Sequence, residues 1–322
     1  MQGAQKIKTI RVATDMSAVT PDASASLESL EDVARRELGE TPAVKQTALN
    51  DLRKLISGEP SLYCPTDDAF LVKFLRARKY DAQSAFDNIK KYFEVRRDHP
   101  EVFKDLTPSC IPFHVVCRKH RLLRVSRSTD SLGRMVVLNK IGAWNTDICT
   151  LNDYFRVGAA GLEYLLLRQD VQIKGIVCIV DLKGLNVYHL AHYTPSVIRK
   201  LLKIVQDSLP LRLKRIYIIN NPPIFDLLFT IVKAFLKAKL LKRTRLFGYN
   251  LEELHHLVPD DVIPEGCGEK DESNHFDHWE SAESFYQAMG SYGYRETLTE
   301  TAPEPNGVSP EEELSSDDYV RL

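Results

Sequence analysis

The residues of this 322-residue chain that could do chemistry do not form a recognisable catalytic set. The sequence contains none of the motifs G-x-S-x-G, G-x-x-x-x-G-K-[ST] or H-E-x-x-H, and no G-x-G-x-x-G follows a strand pattern. The segment from Glu252 to His256 ends in adjacent histidines, whereas a helical zinc site places them four residues apart. We therefore expect no enzyme activity, no metal site and no cofactor.

Three kinds of isolated polar residue remain as candidates for catalysis or ligand binding. Asp181 follows an apolar strand pattern, where α/β enzymes often place an acid, but it leads into a turn and favours a structural use. Glu163 interrupts an apolar helical pattern, and a buried carboxylate must be hydrogen-bonded or protonated. Glu163 could bind a ligand, or it could be paired with another polar group in the protein core. His189 and His192 have no evident nucleophile or acid partner.

A block of positive charge is the strongest chemical signal in the sequence. Between Arg199 and Arg245, twelve Lys and Arg residues stand against two acids, although the net charge of the whole chain is −1. Residues 299–322 offset this block with seven acids and one Arg. Such a cationic segment predicts an anionic partner, and the alternative is a solvated surface.

The cationic block contains a stretch with a wide apolar face. The residues from Ile224 to about Leu241 predict a helix whose apolar side chains cover about 200° of its circumference. Lys and Arg residues follow at its end. Such a helix is either a buried core helix or a lid over an apolar cavity that touches a membrane.

The elements that must position these residues fall into two groups. Helical patterns fill the first hundred residues, and strand patterns alternate with helical ones after Pro112, which predicts an α/β layer architecture. We expect five segments: a disordered N-terminus (1–24), a helical domain (25–108), an α/β domain (109–270), a C-terminal helix (271–298) and an acidic disordered tail (299–322).

The sequence also predicts the compartment. No apolar run approaches the roughly 20 residues that span a bilayer, and the N-terminus lacks a secretory pattern. The six cysteines include no C-x-x-C pair, which favours reduced thiols. We expect a cytoplasmic protein whose membrane contacts are peripheral.

Four segments together resemble the CRAL-TRIO family: DDAFLVKFLRARKYD (67–81), GIVCIVDLKG (175–184), TPSVIRKLLKIVQDSLPLRLKRIYIINNPPIF (194–225) and AFLKAKLLKR (234–243). The resemblance covers roughly residues 28–268. It is strongest to the branch that holds α-tocopherol transfer protein, clavesins and cellular retinaldehyde-binding protein. It implies an α/β lipid cage with a mixed sheet as its floor and the helix from Ile224 as a mobile gate, preceded by an all-helical N-terminal domain.

The resemblance also implies two sets of site residues. The expected pocket residues are Phe155, Gly158, Leu162, Ile176, Val180, Leu201, Ile204, Val205, Leu211, Ile224, Leu228 and Val232. The expected phosphoinositide-binding residues are Arg78, Arg212, Lys214, Lys239 and Arg243. Gly158 and Leu162 replace small hydroxyl residues of the tocopherol carrier, and aliphatic side chains replace aromatic ones after residue 184. These departures favour an aliphatic pocket that is roomier on one side, and they leave the lipid unidentified.

We interpret the chain as an intracellular lipid-binding and transfer protein, not an enzyme. It would enclose one small hydrophobic ligand and dock on phosphoinositide-containing membranes, such as endosomal membranes, through a basic patch beside the gate helix. The alternative is a phosphoinositide-binding trafficking adaptor that carries no lipid. We expect a monomer and no nucleic-acid partner.

Overall fold

The computed structural model describes residues 28–263 and 283–295 of the protein. The predicted N-terminal tail (1–24) and acidic tail (299–322) lie outside the described residues, as does much of the 271–298 segment. The division between domains at residues 108 and 109 stays a prediction.

Five helices form the N-terminal part of the chain, where the sequence predicted a helical domain. They are α1 to α5, which span Leu30–Leu38, Pro42–Ser57, Asp68–Ala77, Ala82–Asp98 and Pro100–Phe103. Thr41, Asp67 and Asp81 cap three of them, each accepting a hydrogen bond from the backbone amide three residues later. Phe74 and Ile89 are fully buried in the core between these helices.

A five-stranded mixed sheet follows. After the short β1 (Leu62–Tyr63), strands β2 to β6 span Leu123–Thr129, Met135–Asn139, Ile176–Asp181, Leu213–Ile219 and Thr244–Gly248. The strands lie side by side in chain order, with β2 antiparallel to β3 and the others parallel. Parallel neighbours need crossover connections, which the intervening helices supply. The predicted α/β class is therefore confirmed.

The remaining helices surround this sheet. Helices α6 to α13 span Leu151–Leu165, Gln169–Lys174, Val187–His192, Pro195–Leu202, Phe225–Phe235, Ala238–Leu241, Glu252–His255 and Glu283–Gly290. A π-helical turn (Lys203–Ser208) continues α9. Strand β7 (Gly293–Tyr294) pairs with β1, so the C-terminal end of the described chain lies beside the N-terminal helices.

The two faces of the sheet have different neighbours, because successive strand side chains point to opposite faces. On one face, Val136 and Leu138 pack with Leu254 and Ile263 from the end of the α/β region. On the other face, Val137 and its neighbours join the largest core, which the helices cover. That second face becomes the floor of the candidate site.

The predicted gate helix is shorter than the sequence indicated. Instead of one helix from Ile224 to about Leu241, the chain forms α10, leaves the helical conformation at Leu236 and Lys237, and then makes the single turn of α11. The Gln206 side chain donates to the Phe235 carbonyl at 2.9 Å and accepts from the Lys237 amide at 3.1 Å. These bonds satisfy backbone groups that a continuous helix would have paired.

Candidate functional site

An apolar cavity of about 140 Å³ lies between the sheet and helices α6 and α9. Val137, Ile176 and Leu213 of the strands form its floor, and α6, α9 and the π-helical turn form its walls. None of the described residues that line it carries a charge. Such a lining favours a hydrocarbon and disfavours an ionised group, which would lose its hydration without gaining a partner.

Most of the predicted pocket residues border this cavity. They are Phe155, Gly158, Leu162, Ile176, Leu201, Ile204, Val205 and Leu211. Val180, Ile224, Leu228 and Val232 belong to the same hydrophobic core but are not among the described residues that line the cavity. Their contact with a ligand, like that of the first group, stays a prediction.

One part of the cavity is polar, and the sequence did not predict it. Asn139 at the end of β3, Tyr154 of α6 and Tyr193 after α8 all line the cavity. The Tyr154 hydroxyl donates to the Asn139 side-chain oxygen. Burial and, next, the neighbouring Tyr193 raise the pKa of Tyr154 well above its ordinary value, so its hydroxyl keeps its proton. The three residues are distant in sequence, and no local pattern links them.

Helix α10 lies against α9 and turns three side chains into the core around the cavity. They are Phe225, Leu228 and Phe229, all buried. The opposite face is open, and Leu227 is 61% exposed. The helix therefore places one apolar side in the protein core, and its solvent-facing side carries Leu227 among the polar residues Asp226, Thr230 and Lys233.

The five predicted cations gather at the C-terminal end of this gate region. We call the following residues the basic cluster: Arg78, Arg212, Lys214, Lys239 and Arg243. Burial and then the charges of Arg243, Lys79, Arg78 and Arg212 lower the pKa of Lys239. Cations that lie this close together repel one another, and the binding of an anion relieves that repulsion.

Gly175 brings part of the chain close to the basic cluster. Its φ of +81° lies in the positive range that favours glycine. A Cβ atom here would lie 2.3 Å from the Arg212 carbonyl oxygen. The absent side chain thus allows α7 to approach Arg212, whose guanidinium donates to the carbonyl of Ile173 in that helix.

The carboxylate of Glu37 in α1 reaches the basic cluster. Its Oε2 accepts hydrogen bonds from Arg212 at 2.8 Å and from Lys214 at 2.6 Å. Burial alone would raise the pKa of Glu37, but the bonds and charges of Lys214 and Arg212 outweigh it and lower that pKa. Glu37 is therefore ionised at neutral pH and partly neutralises two of the five cations.

The isolated polar residues have structural partners. Glu163 forms a buried ion pair with Arg96 of α4, which joins the helical unit to α6. Asp181 accepts hydrogen bonds from the Lys183 amide at 2.9 Å and the Asn220 side chain at 2.8 Å, which fixes the turn after β4. His189 bonds to the Trp144 carbonyl at 2.9 Å. Within residues 28–263 and 283–295, no three His, Cys, Asp or Glu side chains are grouped as metal ligands.

Known proteins resemble most of this chain. The profile of the CRAL/TRIO domain matches residues 121–268, and that of the CRAL/TRIO N-terminal domain matches residues 48–91. Alpha-tocopherol transfer protein-like from Homo sapiens is 35% identical over 242 residues, covering 75% of this chain and 70% of the relative. Clavesin-2 from Homo sapiens is 32% identical over 247 residues, covering 76% and 75% respectively.

A solved structure has a similar fold. The crystal structure of Sfh5 superposes with a TM-score of 0.50 over 80% of this chain and 98% of that one, at 15% sequence identity. At that identity the likeness concerns the fold alone. It agrees with the mixed sheet and the flanking helices described above.

Proposed function

The chain belongs to the CRAL-TRIO family, and we propose that it binds one small hydrophobic lipid and transfers it between membranes without enzymatic chemistry. The observation that carries this proposal is the uncharged cavity between the sheet, α6 and α9. Burying on the order of 500 Å² of apolar ligand surface would supply roughly 12 kcal/mol before the costs of ordering. The relatives named for tocopherol transfer support the same role.

The cavity must widen to accept a lipid. Pockets for drug-sized ligands hold about 300–1,000 Å³, whereas this cavity holds about 140 Å³. Helix α10 is the element whose displacement would open it, because α10 packs on α9 and its C-terminal end is held by the bonds to Gln206. We propose that α10 is the gate and that the described structure is its closed state.

The docking surface that we propose combines the basic cluster with exposed leucines of the gate region and the following strand. Leu227, Leu241 and Leu246 are 61%, 38% and 41% exposed and belong to α10, α11 and β6. Interfacial segments pair apolar side chains with Lys and Arg in this way. Arginine offers forked donors and lysine a point charge to a phosphoinositide phosphate.

We propose peripheral attachment to endosomal or other intracellular membranes from the cytoplasm. Of the helices in the described part of the chain, none is both long enough and apolar enough to cross a bilayer. The proposed attachment uses the docking surface described above.

The small volume of the closed cavity also favours a second candidate, a phosphoinositide-binding trafficking adaptor that carries no lipid. Native mass spectrometry of the purified protein, followed by extraction and identification of bound lipid, separates the two functions. A stoichiometric retained lipid supports the carrier. A ligand-free protein that takes up no lipid from vesicles but still binds phosphoinositide membranes supports the adaptor.

Neutralising Glu37 should strengthen membrane docking. In Glu37→Gln, Arg212 and Lys214 lose their anionic partner and become available to phosphate. One charge near an anionic surface is worth about 1 kcal/mol, so we expect about fivefold tighter binding to phosphoinositide liposomes in cosedimentation. Glu31→Gln removes the same charge from the exposed first turn of α1 and is the control. Weaker binding by Glu37→Gln would show instead that Glu37 orders the cluster.

A further inference from the structure

The hydroxyl of Tyr193 is a buried polar group without a protein partner. The residue is 4% exposed and lines the cavity. Among the described residues, none forms a hydrogen bond with this hydroxyl. The residue itself is fixed, because its amide donates to the His189 carbonyl at 2.9 Å and its ring meets Trp144 edge-on with centroids 6.1 Å apart. Buried hydroxyls are normally paired, so an orphan beside a cavity indicates that a bound molecule supplies the partner.

The surroundings of Tyr193 limit what that molecule can be. Asn139 and Tyr154, which already bond to each other, line the same cavity, and Tyr154 lies near Tyr193. With no charged side chain among the described lining residues, an ionised carboxylate or phosphate would be buried without a counter-charge. A pure hydrocarbon would leave the Tyr193 hydroxyl unpaired. The best partner is a neutral oxygen on an otherwise apolar molecule.

We propose that Tyr193 forms a hydrogen-bonding subsite that selects a neutral lipid with a hydroxyl or carbonyl oxygen, over the matching hydrocarbon and over a lipid with an ionised end. The subsite deepens the lipid-binding function proposed above and depends on it. In the bound state the Tyr193 hydroxyl donates to the ligand oxygen, and the chain of the ligand extends along α6 and the sheet. Tyr193 therefore determines specificity and orientation, whereas the aliphatic lining supplies most of the affinity.

Pairs of probes that differ only in one oxygen test this subsite. We would load delipidated protein from vesicles containing 1-hexadecanol or hexadecane, and phytol or phytane, and quantify bound probe by mass spectrometry after separating the vesicles. Palmitate serves as the ionised probe. Wild type should prefer each alcohol to its hydrocarbon by about tenfold, as expected for one hydrogen bond in an apolar site. Palmitate should bind more weakly than 1-hexadecanol.

Tyr193→Phe removes only the hydroxyl and should reduce that tenfold preference to about one. Its hydrocarbon binding should be unchanged. Tyr217→Phe is the matched control, because Tyr217 is a buried tyrosine on the opposite face of the sheet. Removing the Tyr217 hydroxyl should leave the preference for alcohols unchanged. An unchanged preference in Tyr193→Phe, or an equal loss of alcohol and hydrocarbon, overturns the subsite while leaving lipid binding in place. Binding of no probe by wild type refutes the proposed function itself, and the subsite with it.

The thermal stability of the ligand-free protein gives a second readout. Because the hydroxyl has no partner among the described residues, Tyr193→Phe should melt at the same temperature as wild type or higher. A lower melting temperature would show that the hydroxyl is already bonded within the empty protein, by water or by another group, and would overturn the assignment.

Discussion

Replacing Leu228 by aspartate should reduce lipid retention at least a hundredfold, whereas the same change at Leu227 should leave it intact. The two residues are neighbours on α10, but Leu228 is 6% exposed and packs in the core around the cavity, and Leu227 is 61% exposed. A carboxyl group at residue 228 must ionise against an apolar surface, take up a proton, or pull the helix outward. Each of these costs is several kcal/mol, and about 2.7 kcal/mol already corresponds to a hundredfold change in affinity.

The measurement is the molar ratio of lipid to protein after gel filtration, with circular dichroism to establish that each variant is folded. Leu228→Ala is a useful intermediate, because it removes gate contacts without adding a charge and should retain more lipid than Leu228→Asp. If folded Leu228→Asp retains as much lipid as Leu227→Asp, α10 does not close the cavity.

The sequence predicted the apolar face of the gate helix but not the residue at which the helix ends. Its apolar arc was readable from residues 224–236, because helical periodicity depends only on the local sequence. Its end was not readable. The helix stops after Phe235, and Gln206, 29 residues before Phe235, provides partners for the Phe235 carbonyl and the Lys237 amide. A helical wheel cannot contain a partner from another element.

Strand β6, at the edge of the five-stranded sheet, was missed for a related reason. Residues Thr244–Gly248 carry Arg245 and have only exposed or half-buried side chains, so they lack the apolar run that identified β4. They form a strand because β5 offers a free edge, to which they add in parallel. Edge strands often carry charged side chains. Pairing, rather than residue preference, decides the structure of this segment.

The cavity has features that the local sequence predicts and features that depend on contacts between distant elements. The strand and helix patterns predicted an apolar interior, and the family resemblance indicated which side chains would face it. Asn139, Tyr154 and Tyr193 lie on three elements that meet only in the folded chain. Each is unremarkable in its own segment. Their polar character at one part of an apolar cavity therefore becomes visible only in three dimensions.

Removing two cations of the basic cluster should weaken docking on phosphoinositide liposomes by roughly 10- to 100-fold. Lys239 is exposed at α11, and Arg243 lies just before β6, where its guanidinium donates to the Leu213 carbonyl. At about 1 kcal/mol for each cation near an anionic surface, with more for a direct phosphate contact, Lys239→Ala with Arg243→Ala should lose this much affinity. Neither residue lines the described cavity, so lipid affinity in solution should not change.

A matched double variant and a matched membrane make this experiment decisive. Lys54→Ala with Arg97→Ala removes the same charge from exposed side chains of α2 and α4 and should bind almost as wild type. Liposomes with and without a phosphoinositide, at equal total charge, separate recognition from general attraction, which salt should screen. Equal binding of wild type to both membranes would show that the cluster binds by nonspecific electrostatic attraction. Undiminished binding by Lys239→Ala with Arg243→Ala would refute the proposed site. Because the proposed transfer requires docking, transfer between vesicles should slow in proportion to the loss of docking.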